Sequence, residues 1–493
     1  MNHLLLSIPL ATKNYYANLS VAVTLIIYIC LTPTVDCFFY DGKRIAEISL
    51  IVLAFISLSA SKAAQTRLIH SVSILNKKTL CLLSIILVLG LISSIFAPSP
   101  RYALIEVLTF FSLFIVALLC APIWRHLHTL LPWIGLALLA SFAIQEVKFL
   151  SYYGAFLISK SEFDFYDFFF TFSHPRFFNQ YQIWTLPLLT LLLRMDHPLQ
   201  KVNRYRVLLW IIAIIWWGML FTTNGRGALT GVIGSYIVTY AIFRHKAKDF
   251  LNTTLLLMFW GFIFYQILFH LIPYFRADNT LQLLNINNNP LQIRSTSSGR
   301  LTDLWPTALQ MIQKNPWLGI GPMHFQAWNG SEILAHPHNS LLQLGAEWGL
   351  PALLAILLLI YTTLSTWVRR FNVHTLNSEH KNFNLALIGL TFSLSSAFIL
   401  SLFSGVIVMP MSHLMGILVA SLAFSLYQPL PPQVVEIRKN QHWLMTLIFA
   451  IFAISYFWLL SPELMPRLID PTFSPENPLG INGPRFWLVT NVF

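Results

Sequence analysis

The sequence predicts an all-α, polytopic membrane protein, because 56% of its 493 residues are apolar, only 10% are charged and the mean hydropathy is +0.65. Its apolar residues fall into runs of roughly 16 to 21, long enough to cross a hydrocarbon core of about 30 Å. The formal charge of +12 sits in short Lys and Arg clusters between those runs and not on one basic face, which argues against a nucleic-acid binder. Cys30, Cys37, Cys81 and Cys120 lie in or beside the runs without metal-ligand spacing, so they read as packing residues and not as a disulfide framework or a zinc site.

About thirteen runs appear in chain order, near 16–31, 45–60, 79–96, 102–121, 129–147, 180–193, 207–222, 228–243, 251–272, 349–368, 384–402, 406–427 and 443–460. Each must satisfy its own backbone hydrogen bonds in lipid, and none shows the alternation of a barrel strand, so all are predicted helices. The first run lacks the basic start and small-residue cleavage site of a secretory signal and is read as retained. Orientation follows from Lys62, Arg67, Lys77, Lys78, Arg194, Lys201, Arg204, Arg206, Arg244, Lys246, Lys248, Arg369, Arg370 and Lys381, which an N-terminus on the inside places in the cytoplasm. An odd number of spans then leaves the tail after Leu460 in the periplasm.

Four regions result: an N-terminal transmembrane bundle (1–204), a core (205–365) that includes a large periplasmic loop (273–348), C-terminal helices (366–460) and a periplasmic tail (461–493) that includes Pro462, Pro466, Pro471, Pro475, Pro478 and Pro484. A second outside loop, about 151–179, carries the aromatic and acidic stretch from Glu162 to Asp167. Loops as long as 273–348 usually carry function. Within it, Asn285 to Pro290 reads as turn-rich, and Arg300 to Lys314 as an amphipathic helix along the membrane with Leu301, Leu304, Trp305, Leu309 and Ile312 on one side. Pro316, Gly319, Gly321 and Pro322 break it before His336, Pro337, His338, Asn339 and Ser340 lead into the tenth span.

Chemistry on the outside face rests on arginine and histidine. Arg226 stands in a turn of a few residues, Thr223 to Gly227, where it is either a headgroup-snorkelling side chain or an anion ligand. With Arg294 and Arg300 it composes a set of guanidinium groups that bind phosphate oxygens bidentately and never deprotonate. Arg300 also opens a helix, whose N-terminus favours anions. His336 and His338 flank a stiff proline; a neutral imidazole there takes a proton from an attacking hydroxyl, an effect commonly worth about 10² to 10⁴ in rate. Asn339 either orients a substrate or caps the next helix. Glu347, at the start of the tenth span, and His413 are costly in lipid and are expected to face the bundle interior. Neither Asp164 and Asp167 nor Asp36 and Asp41 forms an Asp-x-Asp pair, so the arginines are read as standing in for a metal, with no cofactor. Walker, dinucleotide, nucleophile-elbow and zincin motifs do not occur.

Ser298-Gly299-Arg300, Asn315 to Pro322, His336 to Gln343 and Glu347-Trp348-Gly349-Leu350, together with the Gly225-Arg226-Gly227 turn, resemble the core of the bacterial O-antigen ligase and polymerase superfamily. The resemblance covers roughly 205–365; the N-terminal spans are similar in hydropathy alone. It implies an oligosaccharyltransferase-like membrane fold in the bacterial inner membrane, with a periplasmic site that transfers a glycan from undecaprenyl diphosphate to an acceptor hydroxyl, with inversion and without metal. Carried over by motif, His338 is the base and Arg226 and Arg300 the diphosphate contacts, with His336 and Arg294 matching less closely. Phe178-Asn179-Gln180-Tyr181-Gln182 is similar to a motif of members that glycosylate proteins, which adds Gln180 as a substrate contact. Ligation to lipid A core, transfer to Ser or Thr of a pilin or other protein, and glycan polymerisation remain open. A lipid or solute transporter is the alternative from another class, and it would show two halves of similar pattern.

Overall fold

A computed structural model describes residues 16–35, 39–159, 169–172, 174–196, 198–276, 299–330, 335–374, 381–427, 437–470 and 486–487. Helices dominate and, among the described residues, no strand occurs: the protein is an all-α, multi-pass membrane protein. The helices are α1 (Tyr16–Leu31), α2 (Phe39–Ala60), α3 (Lys62–Ser73), α4 (Lys77–Ile95), α5 (Pro100–Cys120), α6 (Leu127–Ser159), α7 (Pro175–Arg194) and α8 (Asn203–Thr222). They continue as α9 (Arg226–Phe243), α10 (Lys248–Gln266), α11 (Trp305–Lys314), α12 (Ser340–Trp348), α13 (Leu350–His374), α14 (Lys381–Ser401), α15 (Pro410–Tyr427) and α16 (Lys439–Ile469).

Each of the thirteen apolar runs coincides with a helix, but fewer qualify as spans. Among the described residues, eight helical stretches are long and apolar enough to cross a membrane, or up to nine if α2 and α3, bent by 107°, count as one broken span. One of the eight is the 50-residue run Arg226–Phe275, which holds both α9 and α10. Helices α1 and α15 are short of a full span. Helix α7 falls short because it is polar, and it can be polar because the bundle encloses it. Phe178 through Leu192 are buried without a break. Gln182 donates to the Trp216 carbonyl at 2.6 Å, Trp216 donates to Thr185 at 2.9 Å, and Trp184 donates to Ser412 at 2.9 Å. Such interhelical bonds replace the water these side chains would otherwise need.

Small residues bring the other helices close. Gly231 of α9 lies against Ser396 of α14, and Gly261 of α10 against Trp217 of α8, where an added Cβ would come within 2.6 Å of the Trp217 Cβ. The contacts sort into two ends. At one end the start of α7 meets the turn after α8, the start of α12 meets the end of α14, and the start of α2 meets the start of α15. At the other end Arg194 pairs with Asp249 at 3.2 Å, Lys381 with Asp196 at 3.1 Å, and Gln65 meets His442. The basic clusters therefore gather at the end away from the histidines.

Three local expectations change. The buried seam of α11 is Leu304, Ala308 and Met311, with Trp305 and Ile312 partly covered, whereas Leu301 and Leu309 are exposed. A π-helical turn, Gly299–Leu304, precedes α11 and shifts its face. The tenth span starts after a break: α12 stops at Trp348, and Gly349 (φ +83°, ψ 165°) separates it from α13. The thirteenth run extends to Ile469, so Pro462 and Pro466 lie inside α16 and not in an extended tail.

Gly349 occupies backbone space that is open only to glycine, and a Cβ there would collide with the Trp317 carbonyl. Gly349→Ala should cost about 1–3 kcal/mol, seen as a lower melting temperature of the detergent-solubilised protein. Gly154→Ala, facing open space on α6, should leave the melting temperature at or above that of the parent.

Candidate active site

The site is assembled from helix starts. His174 caps α7 by accepting the Arg176 N–H at 2.9 Å, with Pro175 at the first helical position, a combination that suits a helix N-terminus. One turn on, the Asn179 carbonyl oxygen accepts from Thr223 at 2.8 Å, and its amide lies directly under Gly225. Only a residue without a Cβ allows that approach, so the Gly225 turn delivers Arg226, first residue of α9, to the head of α7. Asn224 adopts φ +50° to make the turn. Gln180, buried, donates to Ser404 at 2.7 Å in the loop between α14 and α15.

That loop carries the histidines. An added Cβ at Gly405 would sit 2.6 Å from the His336 ring, so imidazole packs directly on glycine backbone. His336 is buried and its Nδ1 accepts the His338 N–H at 3.1 Å; the two rings lie 4.3 Å apart at 76°. Asn339 accepts the N–H groups of Leu341 and Leu342, which assigns it the cap of α12, and Ser340 donates to the Ser401 carbonyl at 3.0 Å. Trp305 donates to the Pro337 carbonyl at 3.2 Å and ties the start of α11, with Arg300 just before it, to the same segment.

His338 is the strained and polar-starved member. Its φ of +55° is left-handed, which costs a non-glycine residue about 1–2 kcal/mol, and its Nδ1 is buried without a hydrogen-bond partner. Burial, then the charges of Arg300 and Arg176 and the nearby His174, hold its pKa down to about 3. Burial and Arg176 bring His174 to about 4, and burial followed by Arg176 holds Arg300 below the usual guanidinium value. Arg176 and Arg300 thus repel each other across one ring, and among the described residues no carboxylate pairs with either. Two guanidinium groups with no paired carboxylate among the described residues, one half-buried and one exposed, suit an anion.

The structure therefore brings together His338, His336, Arg300 and Gln180. Arg226 borders them from α9, half-buried, through the contact of Gly225 with Asn179. Arg294 lies outside the described residues. Glu347 is buried inside the bundle edge as expected, but its carboxylate accepts the Phe325 N–H at 2.9 Å and its carbonyl accepts from Gly321 at 3.0 Å and Ser93 at 3.2 Å, so it holds the 316–325 loop. Among the described residues no three His, Cys, Asp or Glu side chains gather to hold a metal ion. Sequence reading missed His174 and Arg176. Their signal was present in His174-Pro175-Arg176, a cap, a proline and a cation heading the helix that bears Asn179 and Gln180.

Residues 205–357 match the model of the O-antigen ligase family. Over those residues the chain is similar to the O-antigen ligase family. The match runs from α8 into α13 and holds Arg226, Arg300, His336, His338 and Glu347; Arg176 and Gln180 of α7 lie before it. No curated protein matches the chain. That similarity supports a glycosyltransferase of the O-antigen ligase and polymerase type, a family that implies lipid-linked glycans as substrates.

Because Arg176 and Arg300 both bear on His338, Arg176→Gln should move the His338 pKa upward. The pH dependence of His338 carbethoxylation by diethyl pyrocarbonate, followed by peptide mass spectrometry, should shift to higher pH in the variant; no shift would separate the two groups.

Proposed function

We propose that the protein transfers a glycan from undecaprenyl diphosphate to an acceptor hydroxyl, with His338 as the general base and Arg300, Arg176 and Arg226 receiving the diphosphate. One observation carries this reading: the imidazole of His338, within the matched residues, has a buried, partnerless nitrogen and lies beside the guanidinium groups of Arg300 and Arg176, with which no carboxylate pairs among the described residues. The acceptor oxygen attacks C1 of the sugar as the bond from C1 to the diphosphate oxygen breaks, and the hydroxyl proton passes to His338 Nδ1. A single displacement of this kind inverts the anomeric carbon. Fixed cations stabilise charge that develops on the leaving group, often the largest single catalytic contribution. No step needs a metal.

The electrostatics supply an order of events. In the free protein burial, and then the two arginines, keep His338 neutral but weakly basic. A diphosphate seated between them cancels their charge, so donor binding raises the basicity of the imidazole just when it must accept a proton. The basic clusters at the opposite end of the bundle support the orientation with this site facing the periplasm of an inner membrane.

Gln180 favours protein as the acceptor over lipid A core. It is joined to the histidine loop through Ser404, yet its carbonyl oxygen is buried without a partner, and it stands in the sequence similar to protein-glycosylating members.

In a deletion strain complemented with His338→Ala, glycan transfer should vanish while the protein stays at wild-type abundance in the membrane; Arg300→Ala should cost about 10² to 10³ in rate. Lipopolysaccharide banding and pilin mass, scored side by side, identify which acceptor loses sugar. Retained transfer by His338→Ala at normal abundance would overturn the mechanism. The pH profile is a second check. kcat/KM reports the free enzyme, so it should stay flat from pH 7.5 to 5, whereas an ordinary histidine base near 6.5 would lose roughly thirtyfold over that range. The acid limb of kcat should lie at higher pH than that of kcat/KM.

A further inference from the structure

A second polar cluster lies across the same end of the bundle, between α2, α15 and the loop 402–409. Arg44 and Glu47 of α2 pair at 2.5 Å, and both are buried. Glu47 Oε1 meets His413 Nδ1 of α15 at 2.8 Å, and His413 Nε2 meets the Ile407 carbonyl, also at 2.8 Å. Arg44 donates to the Val408 carbonyl at 2.6 Å, a carbonyl that also accepts from Tyr40. Phe486 lies over the Arg44 guanidinium at 4.4 Å and closes the cluster. Two consecutive carbonyls of one irregular loop are thus held by a buried ion pair and its histidine.

The other end of that loop is the floor of the histidine site. Ser404 receives Gln180 and Gly405 underlies His336, while tight turns join the two ends: Val406 donates to the Ser404 carbonyl at 3.0 Å and Val408 to the Gly405 carbonyl at 3.1 Å. From His413 the path therefore runs through Ile407 and Gly405 to His336, whose Nδ1 holds the backbone of His338. Ile407 reaches Gly405 through its peptide neighbour Val408, whose N–H donates to the Gly405 carbonyl, and the other links are a hydrogen bond or a close contact each.

We propose that His413, backed by Glu47 and Arg44, is a positioning residue for His338: it fixes the 402–409 loop, and thereby the surface on which the His336–His338 pair is set. The inference rests on the reading of His338 as the base. Misplacing a catalytic group by about 1 Å can cost on the order of 10²-fold in rate, so a tether far from the reacting atoms has leverage.

Two near-isosteric variants separate the tether from the fold. His413→Gln places an amide N–H where Nε2 was, keeping the bond to Ile407 and giving up Glu47; His413→Asn places one where Nδ1 was, keeping Glu47 and giving up the loop. Full-length protein would be compared for membrane abundance, glycan transfer in cells, His338 carbethoxylation and binding of inorganic pyrophosphate. His413→Gln should retain transfer. His413→Asn should lose ten- to a hundredfold of it and carbethoxylate faster at His338, with pyrophosphate binding unchanged because Arg176 and Arg300 are not on the path. Gly405→Ala, which pushes a methyl into His336, should give the same pattern from the other side. Equal behaviour of Gln and Asn at equal abundance, or a parallel loss of pyrophosphate binding and transfer, would overturn the proposal. The carbethoxylation arm stands even if His338→Ala proves active, so a failed tether and a failed base are told apart.

Discussion

The guanidinium groups of half-buried Arg300 and exposed Arg176 bear on one uncharged, buried imidazole without an acid among the described residues, and the surrounding architecture is what holds them there. Arg176 and Arg300 repel each other, and burial penalises both charge and unpaired polarity. Such an arrangement persists only where the rest of the structure over-determines it. Every segment entering the space is accordingly fixed at its head: α7 by His174 and Pro175, α9 by the Gly225 contact with Asn179, α12 by Asn339.

Membrane helices set the limits within which this can be built. Their backbones are self-satisfied, so irregular backbone is confined to places where protein covers it. The loops 316–325, 335–339 and 402–409 meet that condition by borrowing side chains from distant helices. Glu347 and Ser93 cover the first, Trp305 the second, Gln180, Arg44 and His413 the third. Buried polar residues that look expensive in hydropathy are largely the scaffold of these loops. Their worth is conformational: replacing one partner of a buried ion pair commonly costs about 3–5 kcal/mol, because the other is left unpaired.

The left-handed His338 fits the same logic. Pro337 before it and Asn339 after it prevent a regular helix, so the ring leaves the axis of α12 and meets His336 edge to face. A histidine inside α12 would have pointed along the helix face. A break in the backbone places two imidazoles and an approaching cation within one small volume.

Much of this was legible in the order of residues. Hydropathy is a local property, so the apolar runs located the helices, and the absence of alternation excluded a barrel. His338, Arg226 and Arg300 could be proposed from the order of residues because a turn, a proline and a helix start each constrain their neighbours within a few positions. Tertiary structure decided the rest. Arg176 and His174 border the candidate site because the head of α7 is held against the turn after α8 and the loop between α14 and α15, the latter more than two hundred residues away in sequence. It also decided that fewer stretches qualify as spans than the runs suggested, that Glu347 braces a loop, and that Pro462 and Pro466 lie within a helix. Propensity and hydropathy register what a residue does to its own backbone and to lipid; which charges share a cavity depends on contacts between segments far apart in sequence, and only the folded chain contains those.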